Sequence, residues 1–386
     1  MADRSGVAHE SAIGLDAVRS VDPARYALSG RSPRLALRPE SRDEVAEAMR
    51  AAARERLAVV PWGAGVALSA EPAPPRYDLA IDLSGLARIV EYDPEDLTLT
   101  AEAGASIGSL REALAAHRQE LPLEAAQAGR ATLGGLLAAD ASGSRRLRFG
   151  APHDRILGAR FVLADGAPAR SGGRVVKNVA GYATHRLLCG SRGALAVFVE
   201  ASLKLAPAPD ERVALCFGMD AAAISDLSRW GGLARLEPAF ASVVGVRSAA
   251  LLPPPAAPGA AFTLIVGLED DRPRVAEQEA AVIRALGPPQ ARLSGGEVVA
   301  IAQALADLEE QPGPRLTLTA AANTPAALAA LLESPAAGRL IFHAPAGRLH
   351  LFPEAGEAAA VAVAATACGF TPRAARGVGE PADAAA

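Results

Sequence analysis

The residues whose type and placement could do chemistry are, first, glycines. Gly63, Gly65, Gly104, Gly134, Gly135, Gly143, Gly150, Gly190 and Gly193 fall in loops that follow predicted strands or precede predicted helices. A backbone without a Cβ can approach a polyphosphate closely, and successive N–H groups can converge on its oxygens. Taken singly, each is equally an ordinary turn glycine. Thr132 adds a hydroxyl that could donate to and accept from such a ligand, or could cap the helix that LGGLLAA predicts; one residue can do both. His343, Arg348 and His350 stand on a strand-like run in which 348 and 350 share a face. They could orient a carboxylate, but the favoured reading is of exposed strand residues flanking a turn at Pro345-Ala346-Gly347. Tyr182 and His185 read as solvent-side and packing residues. Lys177 and Lys204 are the only lysines, and Asn178 and Asn323 the only asparagines, so the adjacent Lys177-Asn178 pair hints at a need for those side chains.

Other chemistries lack their residues. PWGAGVAL has no third glycine for the G-x-G-x-x-G dinucleotide fingerprint and opens no obvious helix, and neither lysine sits in a P-loop. No HExxH, GxSxG or CxxC occurs, so metal-hydrolase and serine-hydrolase chemistry have no support and no metal site is expected. The net charge of -4 carries no basic excess, which argues against nucleic acid as a partner. Cys189, Cys216 and Cys368 are widely spaced and odd in number, as expected of a reducing cytoplasm. No apolar run has the length of a signal core or a membrane span. The expectation is a cytoplasmic protein, with attachment to the inner membrane through partners left open.

The elements that must position these residues suggest two domains, as a chain of 386 residues exceeds the usual reach of one core. LALRPES reads as a strand and turn, Ser41 as the N-cap of a helix over DEVAEAMRAAARERL, and LAVVPWGAG as a strand entering a glycine loop. This βαβ start predicts a layered α/β domain. Short strands follow across residues 77–106, and SLREALAAHR predicts a helix capped by Ser109 with Glu112 in a capping box. Strands at ARFVLADG and ALAVFVEASLKLAP complete the unit, and Pro207-Ala208-Pro209-Asp210 is the predicted boundary. Beyond it, strands at LCFGM, SVVGV and FTLIVGL, a helix around VAEQEAAVIRAL and the run RLIFHAPAGRLHLF predict a smaller α+β domain.

The order of the glycine loops resembles that of the vanillyl-alcohol oxidase/p-cresol methylhydroxylase flavoproteins. VVPWGAGVALS at 59–69 looks like that family's pyrophosphate loop. LPLEAAQAGRATLGGLLAADASG at 121–143 resembles its second segment, RFGAPHDRILGARFVLADG at 148–166 its third, and RVVKNVAGYATHRLLCGSRGALAVFVEASLKLAPAP at 174–209 its fourth. Within the family, RVVKNVAGY, the following GSRG and the ending SLKLAPAP are similar to FAD-binding subunits of glycolate oxidase complexes, as are RWGGLARL and APAGRLHLF in the second domain.

The resemblance implies an α+β chain: a PCMH-type FAD-binding domain of two α/β subdomains at 27–209, then a cap-like domain at 210–386. It implies backbone amides of Gly63, Ala64, Gly65, Val66 and Ala67 on the FAD pyrophosphate. Ala131, Thr132, Gly134, Gly135, Ser142 and Gly143 would meet the ring, ribityl chain or phosphates, with Gly193 and Val197 at the adenosine end. Flavin performs the redox chemistry, so no catalytic side chain is assigned. Ala64 and Ala67 depart from the family's usual glycine and hydroxyl or histidine, Ala183 from a frequent aspartate and Ala196 from a frequent glycine. With no histidine in the loop, the FAD is expected to be non-covalent. The implied activity is oxidation of a small 2-hydroxy acid such as glycolate, with electrons passing to flavoprotein and iron–sulfur partner subunits. Alternatives are a self-sufficient FAD-dependent dehydrogenase of another hydroxy acid and a scaffold subunit with weakened flavin binding.

Overall fold

The computed structural model describes residues 18–68, 74–174, 181–225, 232–253, 260–311, 313–320, 332, 339–343, 348–354, 357–367 and 370–376. The chain divides into two compact units, Met1–Ser142 with Gly150–Ala208, and Gly143–Phe149 with Pro209–Ala386.

The first unit opens with β1 (Leu35–Leu37), β2 (Val59–Trp62) and β3 (Leu79–Asp82), which form a parallel sheet of order β1-β3-β2. The helix Arg42–Arg54 links the first two strands. It starts where the Ser41 hydroxyl accepts from the Glu44 amide, and it carries Asp43 and Glu44 in its first turn and Arg54 in its last, matching the helix dipole at both ends. Its buried face, Val45, Ala46, Ala48, Met49, Ala51 and Ala52, packs on Leu35, Leu37, Leu79 and Ile81 from this sheet and on Val162, Val197 and Val199 from a second one. The helix is therefore sandwiched by two sheets.

The second sheet is antiparallel: β4 (Ile89–Asp93), β5 (Thr98–Glu102), β7 (Ile156–Leu163), β8 (Pro168–Gly172) and β9 (Ala196–Lys204), in the order β4-β5-β9-β7-β8. A short ladder joins β6 (Gln119–Glu120) to β10 (Ala206–Pro207). The sheet's far face buries Leu99, Ala101, Phe161 and Leu203 against the helices Ile107–Ala115 and Leu133–Ala139. The Ile107–Ala115 helix is capped by Ser106, not Ser109. Both serines fit a cap by type, but Ile107 and Leu110 are wholly buried, and continuing the apolar stripe back to Ile107 draws the start of the helix upstream.

In the second unit, β11 (Glu211–Met219), β12 (Phe240–Gly245), β13 (Phe262–Asp270), β14 (Ala291–Ser294), β15 (Arg315–Ala320), β16 (Leu340–His343), β17 (Arg348–Leu351) and β18 (Phe370–Arg376) make one antiparallel sheet. Its order is β14-β11-β13-β12-β16-β17-β15-β18. Alternate residues serve opposite faces: Val213, Leu215, Leu264 and Val266 pack with Val275 and Val282 of the helix Arg272–Leu286. Ala214, Cys216 and Ile265 pack with Ile301 and Leu305 of the helix Gly296–Glu309. A sheet covered on both faces buries every residue of strands such as Leu340–His343.

Candidate functional site

Three turns of the first unit meet. The loop leaving β2 passes Gly63 so close to the start of the helix Leu133–Ala139 that a Cβ on Gly63 would stand 2.2 Å from Thr132 Oγ1. Thr132 is 7% exposed and caps that helix, its hydroxyl accepting from the Gly135 amide at 3.3 Å. Between loop and helix, the Arg130 guanidinium donates to the Ala64 carbonyl at 3.3 Å, and Val66 packs onto the core that contains Ala131, Leu133 and Leu136. The third turn joins from the other side. The amides of Gly190 and Arg192 donate to the carbonyls of Leu137 and Ala138 at the end of the same helix, and Gly193, at φ +80°, lies against Pro61 of β2, where a Cβ would approach to 2.8 Å. Only glycine reaches that dihedral without strain.

What this arrangement offers a ligand is main-chain N–H. The amides of Gly63, Ala64, Gly65 and Ala67 donate to no acceptor among the described residues, and neither do those of Thr132 and Gly193. Buried backbone donors are nearly always paired, so amides on three meeting turns that have no acceptor among the described residues are suited to oxyanions such as those of a diphosphate. Ala64 and Ala67 lie outside the positive-φ region, so alanine in place of the usual glycine or hydroxyl strains nothing there.

The expected site residues thus fall into groups. Gly63, Ala64, Gly65, Val66, Ala67, Ala131, Thr132, Gly135 and Gly193 are brought together by these turns. Gly134 faces Ala103, to whose carbonyl its amide donates at 2.7 Å, and so serves the packing of the helix. The Val197 side chain is buried in the core with Val162 and Val199, leaving only its main chain for a ligand. Ser142 is buried in the first unit, while Gly143 belongs to the second. Lys177 and Asn178 lie outside the described residues, as does the Pro345-Ala346-Gly347 turn. Arg130 was missed, since an arginine between glycine loops has no signature without the fold.

A second cluster lies inside the second unit. The favoured reading of His343 and His350 as exposed strand residues is corrected: they are 5% and 1% exposed. β16 and β17 are inner strands of a sheet covered on both faces, so alternation does not deliver these side chains to water. The rings stand edge to face, with centroids 5.8 Å apart. His343 Nδ1 lies 2.9 Å from Ser242 Oγ and its Nε2 2.8 Å from Glu309 Oε1. His350 Nδ1 lies 3.2 Å from Thr317 Oγ1, and its Nε2 3.4 Å from Glu309 Oε2. Burial holds the His350 imidazole well below its ordinary pKa. Burial works to raise the Glu309 carboxyl, but the facing imidazoles hold it down at about 2. Glu309, His343 and His350 offer ligand atoms within 4.8 Å of one another and could hold a divalent cation. Glu309 was missed because its helix was missed, though Ala302, Leu305 and Glu309 sit at the i, i+3 and i+7 spacing of one buried stripe.

A family model described as FAD binding domain matches residues 33–172. Glycolate oxidase subunit GlcD of Bacillus subtilis is 32% identical over 200 residues, 50% of this chain and 43% of that protein. Glycolate oxidase subunit GlcE of Escherichia coli is 39% identical over 144 residues, 37% of this chain and 41% of that protein. The mitochondrial D-lactate dehydrogenase [cytochrome] of Arabidopsis thaliana is 29% identical over 185 residues, 48% of this chain and 32% of that protein. The chain thus spans less than half the length of these relatives in the matched regions. Among solved structures, alkyldihydroxyacetonephosphate synthase superposes with a TM-score of 0.66 at 18% identity, covering 89% of this chain and 72% of that one. Substrate-bound p-cresol methylhydroxylase gives 0.65 at 15%, covering 87% and 78%. At such identities the likeness is one of fold. Residues 33–172 match an FAD-binding domain, with FAD as its cofactor, and the fold is shared with p-cresol methylhydroxylase.

Proposed function

We propose that this chain is a subunit of an FAD-dependent oxidoreductase that oxidises a small 2-hydroxy acid of the glycolate type and passes the electrons to flavoprotein and iron–sulfur partner subunits. The observation that carries the reading is the meeting of three separate turns around Gly63, Thr132 and Gly193, whose amides have no acceptor among the described residues. The relatives named for glycolate oxidase subunits and D-lactate dehydrogenase support the substrate class.

In this reading Gly63, Ala64, Gly65 and Ala67 bind the pyrophosphate through their N–H groups. Val66 anchors the loop to the core, Thr132 sets the start of the following helix against it, and Gly193 leads to the adenosine side. Ala131, Gly135, Ser142 and Gly143 take the ring and ribityl end, Gly134 lets the helix approach, and Val197 contributes main chain. FAD supplies the two-electron acceptor when bound, and the protein contributes binding, orientation and exclusion of water. The run GAGVALS has no histidine, so the cofactor is held without a covalent bond and leaves on acid treatment.

The test is an anaerobic titration of the purified, FAD-loaded chain with glycolate and with D-lactate, following the flavin spectrum. Bleaching by either acid supports oxidation at this chain's own flavin. A flavin that neither acid reduces, and that a reduced partner subunit does not reduce either, contradicts the proposal.

A further inference from the structure

Beyond the reach of the helix Arg42–Arg54, one face of the five-stranded sheet carries a row of residues that the flavin reading does not use. The helix Arg42–Arg54 covers this face over Val162, Val197 and Val199. Beyond the helix, the registers align Glu91 of β4, Thr100 of β5, Ser202 of β9, Gly158 of β7 and Gly172 of β8 in one row across all five strands. Their neighbours Leu99, Ala101, Ala159, Ala201 and Leu203 point into the core on the opposite side, so this row faces outward. Two of its members have no side chain and two end in hydroxyls. These residues line a groove with a volume of about 410 Å3, within the range of small-molecule sites.

The next row holds two arginines and two glutamates: Arg170, Arg160, Glu200 and Glu102. Arg170 of β8 stands directly opposite Arg160 of β7, which stands opposite Glu200 of β9. Like charges facing each other across a ladder are destabilising; Glu200 pairs with Arg160 and Arg42, and Glu102 with Arg88. Arg160 Nε lies 3.0 Å from Glu200 Oε1, and Arg42 Nη1 lies 3.4 Å from Glu200 Oε2. Arg170 is exposed and has no partner among the described residues. A fourth arginine, Arg174, pairs with Glu91 at the groove's edge. Four arginines thus face two glutamates around the groove. On its floor, Thr100 Oγ1 and Ser202 Oγ are 2.8 Å apart and both buried. One hydroxyl proton serves that bond, and the other is left to donate outward.

We propose that this groove binds a small dianion, the Arg160–Arg170 pair and the Thr100–Ser202 hydroxyls supplying the donors. The shared chemistry is that of a compact oxyanion carrying two charges, whether a phosphate or a short dicarboxylate. Guanidinium forks match both geometries in pairs of parallel hydrogen bonds. The site is independent of the flavin assignment, because it uses none of the three turns.

The experiment is isothermal titration of the full-length chain at low ionic strength with inorganic phosphate and, separately, with malonate. The variants are R170Q and the double variant R160Q/R170Q, with FAD content and thermal midpoint measured on each. The expected result is saturable binding of at least one anion, weakened about tenfold or more by R170Q, which is ~1.4 kcal/mol, and abolished in the double variant. The two titrations distinguish a phosphate site from a dicarboxylate site. The proposal is overturned if neither anion binds, if the double variant binds as the parent does, or if loss of binding comes with loss of FAD or a lowered thermal midpoint.

Discussion

An alanine at position 63 would put a methyl carbon 2.2 Å from Thr132 Oγ1, well inside contact distance, so either the loop or the cap must move. Overpacking of this kind costs about 1–3 kcal/mol, and losing the Thr132 cap about 1 kcal/mol. G63A and T132A should therefore each destabilise in denaturant unfolding. The double variant should cost less than their sum, because removing Oγ1 relieves the contact that the added methyl makes; strict additivity would show that the two residues do not meet. His185 provides a separate test at this scale. Its ring is buried with Nδ1 3.0 Å from Ser171 Oγ, and burial, followed by the charge of Arg186, holds its pKa below 6.5. The unfolded chain then binds the proton more readily than the native one. Stability attributable to His185 is complete above about pH 6.5 and declines as pH falls through that value. Midpoints measured from pH 7.5 down to 5 should drop less steeply in H185Q than in the parent. Equal slopes would contradict the assignment.

The helix Gly296–Glu309 places Glu309 between two imidazoles, and its own anchoring rests on Ile301 and Leu305, both fully buried. L305A should cost about 3 kcal/mol by leaving a cavity. E309A should cost about as much, by leaving two buried rings facing an emptied position; a loss below 1 kcal/mol would mean that the cluster does not hold the sheet to the helix. This element also marks where the sequence stopped being readable. The helix begins at Gly295, at φ +54° and with no side-chain cap, so it lacks the start signal that Ser41 gives to Arg42–Arg54. The strand Arg348–Leu351, which carries His350, alternates no differently from a surface strand, and only the apolar run Leu340–Phe342 before His343 signals burial. What buries them is their inner place in a sheet whose order is fixed by contacts distant in sequence. Conversely, the three glycine turns were legible because each is a local glycine pattern next to a strand or helix. Their meeting, and the part Arg130 plays in it, needed the fold.

For the molecule as a whole, two compact units with separate cores bear on how ligand binding should register in stability. FAD bound only by the native first unit stabilises it by RT ln(1 + [FAD]/Kd), about 2.7 kcal/mol at a hundredfold excess over Kd. Calorimetry should then show one transition moving upward with FAD concentration, and that shift should shrink in G63A. A scan unaffected by FAD would count against a folded cofactor site. The most direct measurement is simpler. The purified chain is incubated with excess FAD and desalted, and its flavin absorbance is read before and after acid precipitation. The account predicts about one flavin per chain, all of it released into the acid supernatant. A chain that stays colourless after loading, or whose flavin remains with the precipitate, would contradict it.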